Sequence, residues 1–148
     1  MTKSNIDIIT DNLMTIHPLV YKNILKPIRK NTSITPGGMY VLGSLKRNGI
    51  LSMSDIGKCL SMPKPHVTVI VDRLIEEEFV ERQNDPKDRR IINIILTEKG
   101  RSFFEEIKES ISENLKEKLR MLSEEDQEIM SFFSTKMKEI LTAISENN

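Results

Sequence analysis

Apolar residues recur at two spacings along this chain, and the change from one to the other marks its parts. From Ile6 through Ile9, Leu13, Ile16, Val20 and Ile24 to Ile28 each step is three or four residues, which predicts one stripe along a long helix. Ser4 with Asp7 three residues on resembles a capping box that opens it. Pro18 falls inside the stripe and predicts a bend near His17-Pro18, because proline lacks the N–H and crowds the preceding turn. After a loop at Asn31-Thr32-Ser33, Thr35-Pro36 supplies the cap and first position of a second helix. Met39, Val41, Leu42 and Leu45 form its buried face, and Asn48-Gly49 ends it. For Gly37-Gly38 in its first turn, close helix packing is the only reason the sequence offers.

Next, Ser52 and Asp55 box the start of a short helix with Ile56 and Leu60 on one face, ending near Leu60. Ser61-Met62-Pro63 makes a tight turn. A further helix starts near Pro63 to Pro65, where a missing N–H costs nothing, and runs to about Glu77 on an inner stripe of Val67, Ile70, Val71 and Leu74. The period then drops to strand spacing. Phe79, Val80 and Arg82 read as one strand, Gln83 to Lys87 with Asp85-Pro86 as a turn, and Ile91 to Leu96 as a second strand. The tip carries Lys87, Asp88, Arg89 and Arg90. Helical spacing returns after Thr97, with Phe104, Ile107, Ile111, Leu115, Leu119 and Leu122 on a helix from about Glu98 to Leu122. Ser123 caps a last helix bearing Ile129, Phe132, Phe133, Met137, Ile140, Leu141 and Ile144.

This order predicts a mainly α fold with a small β-hairpin wing: a winged helix-turn-helix between long N- and C-terminal helices. The expected organisation is a single domain over 1–148. Its DNA-binding lobe spans 35–100, and the dimerisation helices span 1–34 and 101–148.

Charge changes the picture only through its distribution. Over 148 residues, 22 Lys and Arg balance 22 Asp and Glu. Residues 1–34 hold five basic and two acidic groups, residues 82–101 six and three, and residues 102–148 six and eleven. Positive charge thus collects on the N-terminal arm and the wing. The single Cys59 excludes an internal disulfide and a cysteine metal site, and its expected place is a small core position. His17 and His66 are far apart, and no Gly-rich phosphate loop accompanies them. No catalytic residue, metal site, cofactor or enzyme activity is therefore expected. No leader-like segment and no membrane-length apolar run are visible, so the expected setting is the cytoplasm, with no membrane partner.

The segments Val67-Thr68-Val69-Ile70-Val71-Asp72-Arg73-Leu74, Phe79-Val80-Glu81-Arg82, Asp85-Pro86-Lys87-Asp88-Arg89-Arg90 and Leu96-Thr97-Glu98-Lys99-Gly100 resemble the MarR family of bacterial transcriptional regulators. By organisation the resemblance covers nearly the whole chain, and it is specific from Leu51 to Gly100. Two departures stand out. Glu78 occupies the end of the recognition helix, where the family often has Gly, and Pro63 and Pro65 replace small hydroxyl residues at its start. The resemblance implies a homodimer with interleaved first and last helices, built on the stripes at 6–28 and 129–144. It implies double-stranded DNA as partner, with a palindromic operator whose half-sites lie roughly 10 base pairs apart. It also implies a repressor role and release by a small aromatic or anionic effector, for which His17, Met39 and Tyr40 are the candidate contacts.

In the helix from Pro65, Thr68 and Val69 suit thymine methyls, and Lys64 and His66 can donate to guanine or phosphate. Each is also an ordinary solvated side chain in the plainer reading. Arg73 suits a phosphate, or a pair with Glu76 or Glu77. In the wing, Asp88 and Arg90 are two apart, so on an extended strand they share a face. The carboxylate can then hold one guanidinium while the other enters a narrow minor groove, a role the resemblance gives to Arg90 or Arg89. Lys87 completes the basic tip. The competing reading is a winged helix that binds protein rather than DNA.

Overall fold

The computed structural model describes residues 3–25 and 34–146. Two compact units arise, 1–111 and 112–148, and the boundary falls within the fifth α-helix. In the first unit, α1 spans Asn5–Val20. Ser4 Oγ accepts the Asp7 N–H at 3.2 Å, and Asp7 Oδ2 accepts the Ser4 N–H at 3.0 Å, so both halves of the capping box form. The bend expected at His17-Pro18 takes another form. The helix runs through Pro18 and then widens into a π turn over Tyr21–Leu25, with the Tyr21 N–H shared between the His17 and Pro18 carbonyls. None of α1's residues is buried. Ile28 and the loop Asn31-Thr32-Ser33 lie outside the described residues, as does the side chain of Ile24.

The core of the first unit is built by α2 (Pro36–Asn48), α3 (Met53–Leu60), α4 (Lys64–Glu76) and a small sheet. Val41, Leu42 and Leu45 of α2, Ile56 of α3, and Val67, Val71 and Leu74 of α4 are buried together with Ile34, Phe79, Val80 and Ile94. Each fully buried aliphatic contributes about 1.5–3 kcal/mol. The two glycines of α2 now have a reason. A Cβ on Gly37 would come within 2.9 Å of Ile70 on α4, and one on Gly38 within 2.7 Å of Ile34. Cys59 is exposed, not a core residue as expected. The buried face of α3 is centred on Ile56 and leans toward Met53 and Leu60, which pack on the core, so Cys59 falls on its outer flank.

The sheet has three strands in the order β1-β3-β2, all antiparallel: β1 Leu51–Ser52, β2 Val80–Asn84 and β3 Ile92–Leu96. The hairpin was expected, but β1 was not, because two residues cannot display a period. It pairs Leu51 with Ile94 and Ser52 with Asn93, which fastens the start of α3 to the wing.

The end of α4 is joined to the wing by an unusually tight junction. Glu78 adopts the left-handed conformation, φ 62°, at the position where the departure from glycine was noted. The Glu78 N–H reaches Ile75 O at 2.9 Å and the Phe79 N–H reaches Leu74 O at 2.9 Å, a Schellman ending made without glycine. Thr97 then turns its hydroxyl toward the carbonyls of Glu78 and Phe79, at 2.7 and 3.1 Å, and accepts the Gly100 N–H at 2.9 Å. Lys99 Nζ pairs with the Glu78 carboxylate at 3.0 Å. Phe79 and Phe103 stack with centroids 4.3 Å apart. A Cβ on Gly100 would overlap the Phe79 carbonyl oxygen, so the first turn of α5 (Glu98–Leu119) lies directly on that peptide.

Helix α5 stops at Leu119 rather than Leu122, because Arg120 to Leu122 close a tight turn with the Leu122 N–H on Leu119 O. In the second unit, Ser123 Oγ accepts the Asp126 N–H at 3.1 Å and starts α6 (Glu124–Glu146), none of whose residues is buried. Among the described residues no helix is long and apolar enough to cross a membrane.

Gly100→Ala is expected to destabilise the protein by about 2–3 kcal/mol, since the clash is with backbone that cannot rotate away. In a thermal melt followed by circular dichroism that loss reads as a fall of roughly 5–10 °C. A melt unchanged within a degree or so would show that the junction yields.

Candidate nucleic-acid interface

The exposed surface of α4 is set by how its inner stripe packs. With Val67, Val71 and Leu74 buried, Lys64, Pro65, His66, Val69 and Arg73 are all exposed, as expected, and Thr68 is half-exposed. Pro63 caps the helix without a side-chain hydrogen bond, and its carbonyl takes the His66 and Val67 N–H groups. Pro65 has no N–H to leave unpaired there. Thr68 Oγ1 donates to the Lys64 carbonyl at 3.0 Å. Its proton is therefore committed, and it offers outward a methyl group and an acceptor lone pair. Val69, 70% exposed, presents an apolar side chain to solvent. Arg73 is exposed on the same helix. It borders a small apolar cavity of about 70 Å³ lined with Ile34, Val69 and Ile70.

The wing tip is a structured turn, which corrects the expectation of an extended strand shared by Asp88 and Arg90. The Ile91 N–H bonds Asp88 O at 2.9 Å, closing a turn over Asp88 to Ile91. Asp88 Oδ1 accepts the Arg90 backbone N–H at 3.0 Å and its Nε at 3.1 Å, while Oδ2 accepts Nη2 at 3.0 Å. The short side chain of aspartate reaches the N–H two residues on, and that local bond overrides the strand. Asp88 thus grips Arg90 and not Arg89. Arg90 remains 91% exposed along its side chain while one edge of its guanidinium, Nε and Nη2, is held. Arg89 and Lys87 are exposed.

A second aspartate organises the base of the same turn. Asp85 Oδ1 accepts the N–H groups of Lys87 and Asp88 at 2.9 and 3.1 Å, and Oδ2 accepts the Asn93 amide at 3.1 Å. These backbone N–H bonds, then the amide, hold the Asp85 carboxyl below the usual carboxylate range. The Arg90 guanidinium, then its backbone N–H, does the same for Asp88. In return Asp88 raises the Arg90 guanidinium further.

Helix and wing meet along one open groove of about 460 Å³. Lys64 and Thr68 line it from α4, Arg82 from β2, Arg90, Ile91 and Ile92 from the wing, and Ser52 to Ser54 from the start of α3. Lys64, Thr68 and Arg90, three of the residues expected at a DNA face, thus share this groove with Arg82, for which no role was expected. Its signal was an arginine two residues after the buried Val80, hence on the same face of the strand. That face points toward α4, and Arg82 Nη2 meets Asp72 Oδ1 there at 2.5 Å. The three candidate effector contacts are on two helices: His17 is exposed near the end of α1, Tyr40 is exposed on α2, and Met39 packs against the core.

The MarR family model matches residues 34–92. The transcriptional repressor MdtR of Bacillus subtilis is 30% identical over 78% of this chain and 74% of its own length. The crystal structure of YusO from Bacillus subtilis superposes with a TM-score of 0.72 at 27% identity, covering 93% of this chain and 99% of that one. RV1404 from Mycobacterium tuberculosis shares the fold, with a TM-score of 0.81 at 21% identity over 94% of this chain and 95% of its own. The chain belongs to the MarR family of winged helix-turn-helix, DNA-binding transcriptional regulators.

The two lowered carboxyls define how the wing responds to acid. A carboxyl whose folded pKa is depressed adds stability that is fully present above its unfolded value, about 4, and is lost as pH falls through the folded value. The Arg90 side-chain Nε–H signal in a nitrogen–proton spectrum is therefore expected to keep its position and sharpness from neutral pH down to about 4, and to collapse below it. Loss between pH 5 and 7 would mean that another group holds the tip.

Proposed function

We propose that the protein represses transcription as a homodimer on a palindromic operator, each copy placing α4 in the major groove and its wing on the adjacent minor groove. The observation that carries this reading is the shared groove, where Lys64 and Thr68 of one element face Arg82 and Arg90 of another. Phosphate contacts set register and base contacts set sequence, and this face offers both kinds of group. Lys64 lines the groove, Lys87 and Arg89 stand exposed beside Arg90 at the wing tip, and His66 and Arg73 are further exposed donors on α4. Val69 and the Thr68 methyl favour thymine methyls in the half-site. Arg90, already oriented by Asp88, is the side chain assigned to the minor groove, where a narrow A·T-rich segment attracts a guanidinium.

The dimer part rests on two faces that the single chain leaves in water. In α1, Ile6, Ile9, Leu13 and Val20 are exposed, and in α6, Ile129, Phe132, Phe133, Ile140, Leu141 and Ile144 are exposed. Stripes of this size on otherwise charged helices indicate a partner, and a second copy supplies the same stripes. The repressor role draws on the name of the MdtR relative. Release by a small aromatic or anionic effector, with His17, Met39 and Tyr40 as contacts, rests on the family resemblance.

Fluorescence anisotropy on the DNA upstream of the protein's own gene, against a scrambled duplex, tests the DNA reading. Selective binding is expected, weakening by about 10³–10⁵ between roughly 50 and 200 mM salt, with Arg90→Ala losing at least about tenfold. Equal, weak binding to both duplexes and an inert Arg90→Ala would favour a protein-binding winged helix. For the dimer, sedimentation should show two chains for the wild type and one for Phe132→Glu; a monomeric wild type would remove that part of the proposal.

A further inference from the structure

We propose that Asp72 is a positioning residue for DNA recognition: it holds Arg82 across the gap between α4 and the wing so that Arg82 presents its free N–H groups to a phosphate at the floor of the groove. The inference rests on the DNA-binding reading of that groove and adds a residue pair to it.

Three observations point this way. Arg82 lines the groove between Thr68 of α4 and Arg90 of the wing. Its Nη2 is held by Asp72 Oδ1 at 2.5 Å, and Asp72 belongs to the recognition helix while Arg82 belongs to β2. Both side chains stay about half exposed, 46% for Asp72 and 47% for Arg82. A pair so open to water contributes little to stability, because water screens the attraction and both side chains lose rotamer freedom. Its effect is geometric. A guanidinium has five N–H donors in a rigid plane, so one edge can stay on a carboxylate while another faces outward.

The wing tip shows the same arrangement, with Asp88 gripping Arg90. Two arginines on the groove are thus each oriented by an aspartate. Carboxylates on a surface that meets phosphate are repelled by it, so their presence calls for a compensating gain. Ordering the arginine before binding supplies one, since less side-chain freedom is lost on contact.

The electrostatic and positioning accounts predict opposite signs. If Asp72 acts only through its charge, Asp72→Ala removes a repulsion and tightens DNA binding. If it positions Arg82, Asp72→Ala weakens binding about three- to tenfold, although the protein has become more positive. The probe is the duplex that the wild-type chain enriches from a randomised library, and the readout is the dissociation constant at several salt concentrations. Arg82→Ala should weaken binding about tenfold and lower the salt slope by about 0.9, the value of one phosphate contact. Adding Asp72→Ala to Arg82→Ala should cost nothing further, and Asp72→Glu should recover part of the affinity. A thermal melt of each variant checks that the lobe is folded.

Unchanged or tighter binding by Asp72→Ala overturns the inference. So does an equal loss whether or not Arg82 is present, which would show a purely structural effect. If the wild type enriches no duplex, the DNA-binding reading fails first and the inference falls with it.

Discussion

The close approach of the first turn of α5 to the Phe79 peptide is the constraint on which the DNA-facing geometry depends. Thr97, Gly100 and the left-handed Glu78 meet there, and the bonds among them span elements about twenty residues apart in sequence. The junction settles where α4 stops and where β2 begins, so it sets the angle between the recognition helix and the wing. A side chain at position 100 has no room. The stacked Phe79 and Phe103 rings and the buried Val80 seat the same junction on the core. The core of α2, α3 and α4 supplies the stability, and the junction converts it into a fixed orientation.

On that frame the electrostatics are local rather than global. The chain has no net charge, and its basic groups gain direction from the acids next to them. Asp85 shapes the turn, Asp88 orients Arg90, and Asp72 meets Arg82. Exposed ion pairs are poor sources of stability but effective at limiting where a long side chain points. The strand β1 adds a mechanical tie, since it fastens the start of α3 to β3 and thereby joins the first helix of the helix-turn-helix to the wing.

The long helices follow a different logic. Neither α1 nor α6 buries a residue, yet both carry regular apolar stripes. Within the lobe a stripe at helical spacing meant core; in these helices the same spacing marks surface. Periodicity reports that a face is to be covered, not what covers it.

Most of the element order was legible in the sequence. The caps at Ser4, Thr35, Ser52, Thr97 and Ser123, the helix spacings and the strand spacing around Val80 and Ile94 are local signals, governed by backbone hydrogen bonds within a few residues. The family followed from the motif between Val67 and Gly100, and exposed positions such as Lys64 and Val69 followed from the stripe of α4. The tertiary structure decided what depends on distant contacts. It assigned Asp88 to Arg90 through a turn, brought Arg82 to Asp72, moved Cys59 to the surface, and recruited two residues as β1. It also gave meaning to Gly37, Gly38 and Gly100, whose missing side chains matter only because another segment lies against them. A sequence pattern records which faces want to be buried, and only the folded chain determines which atoms meet there.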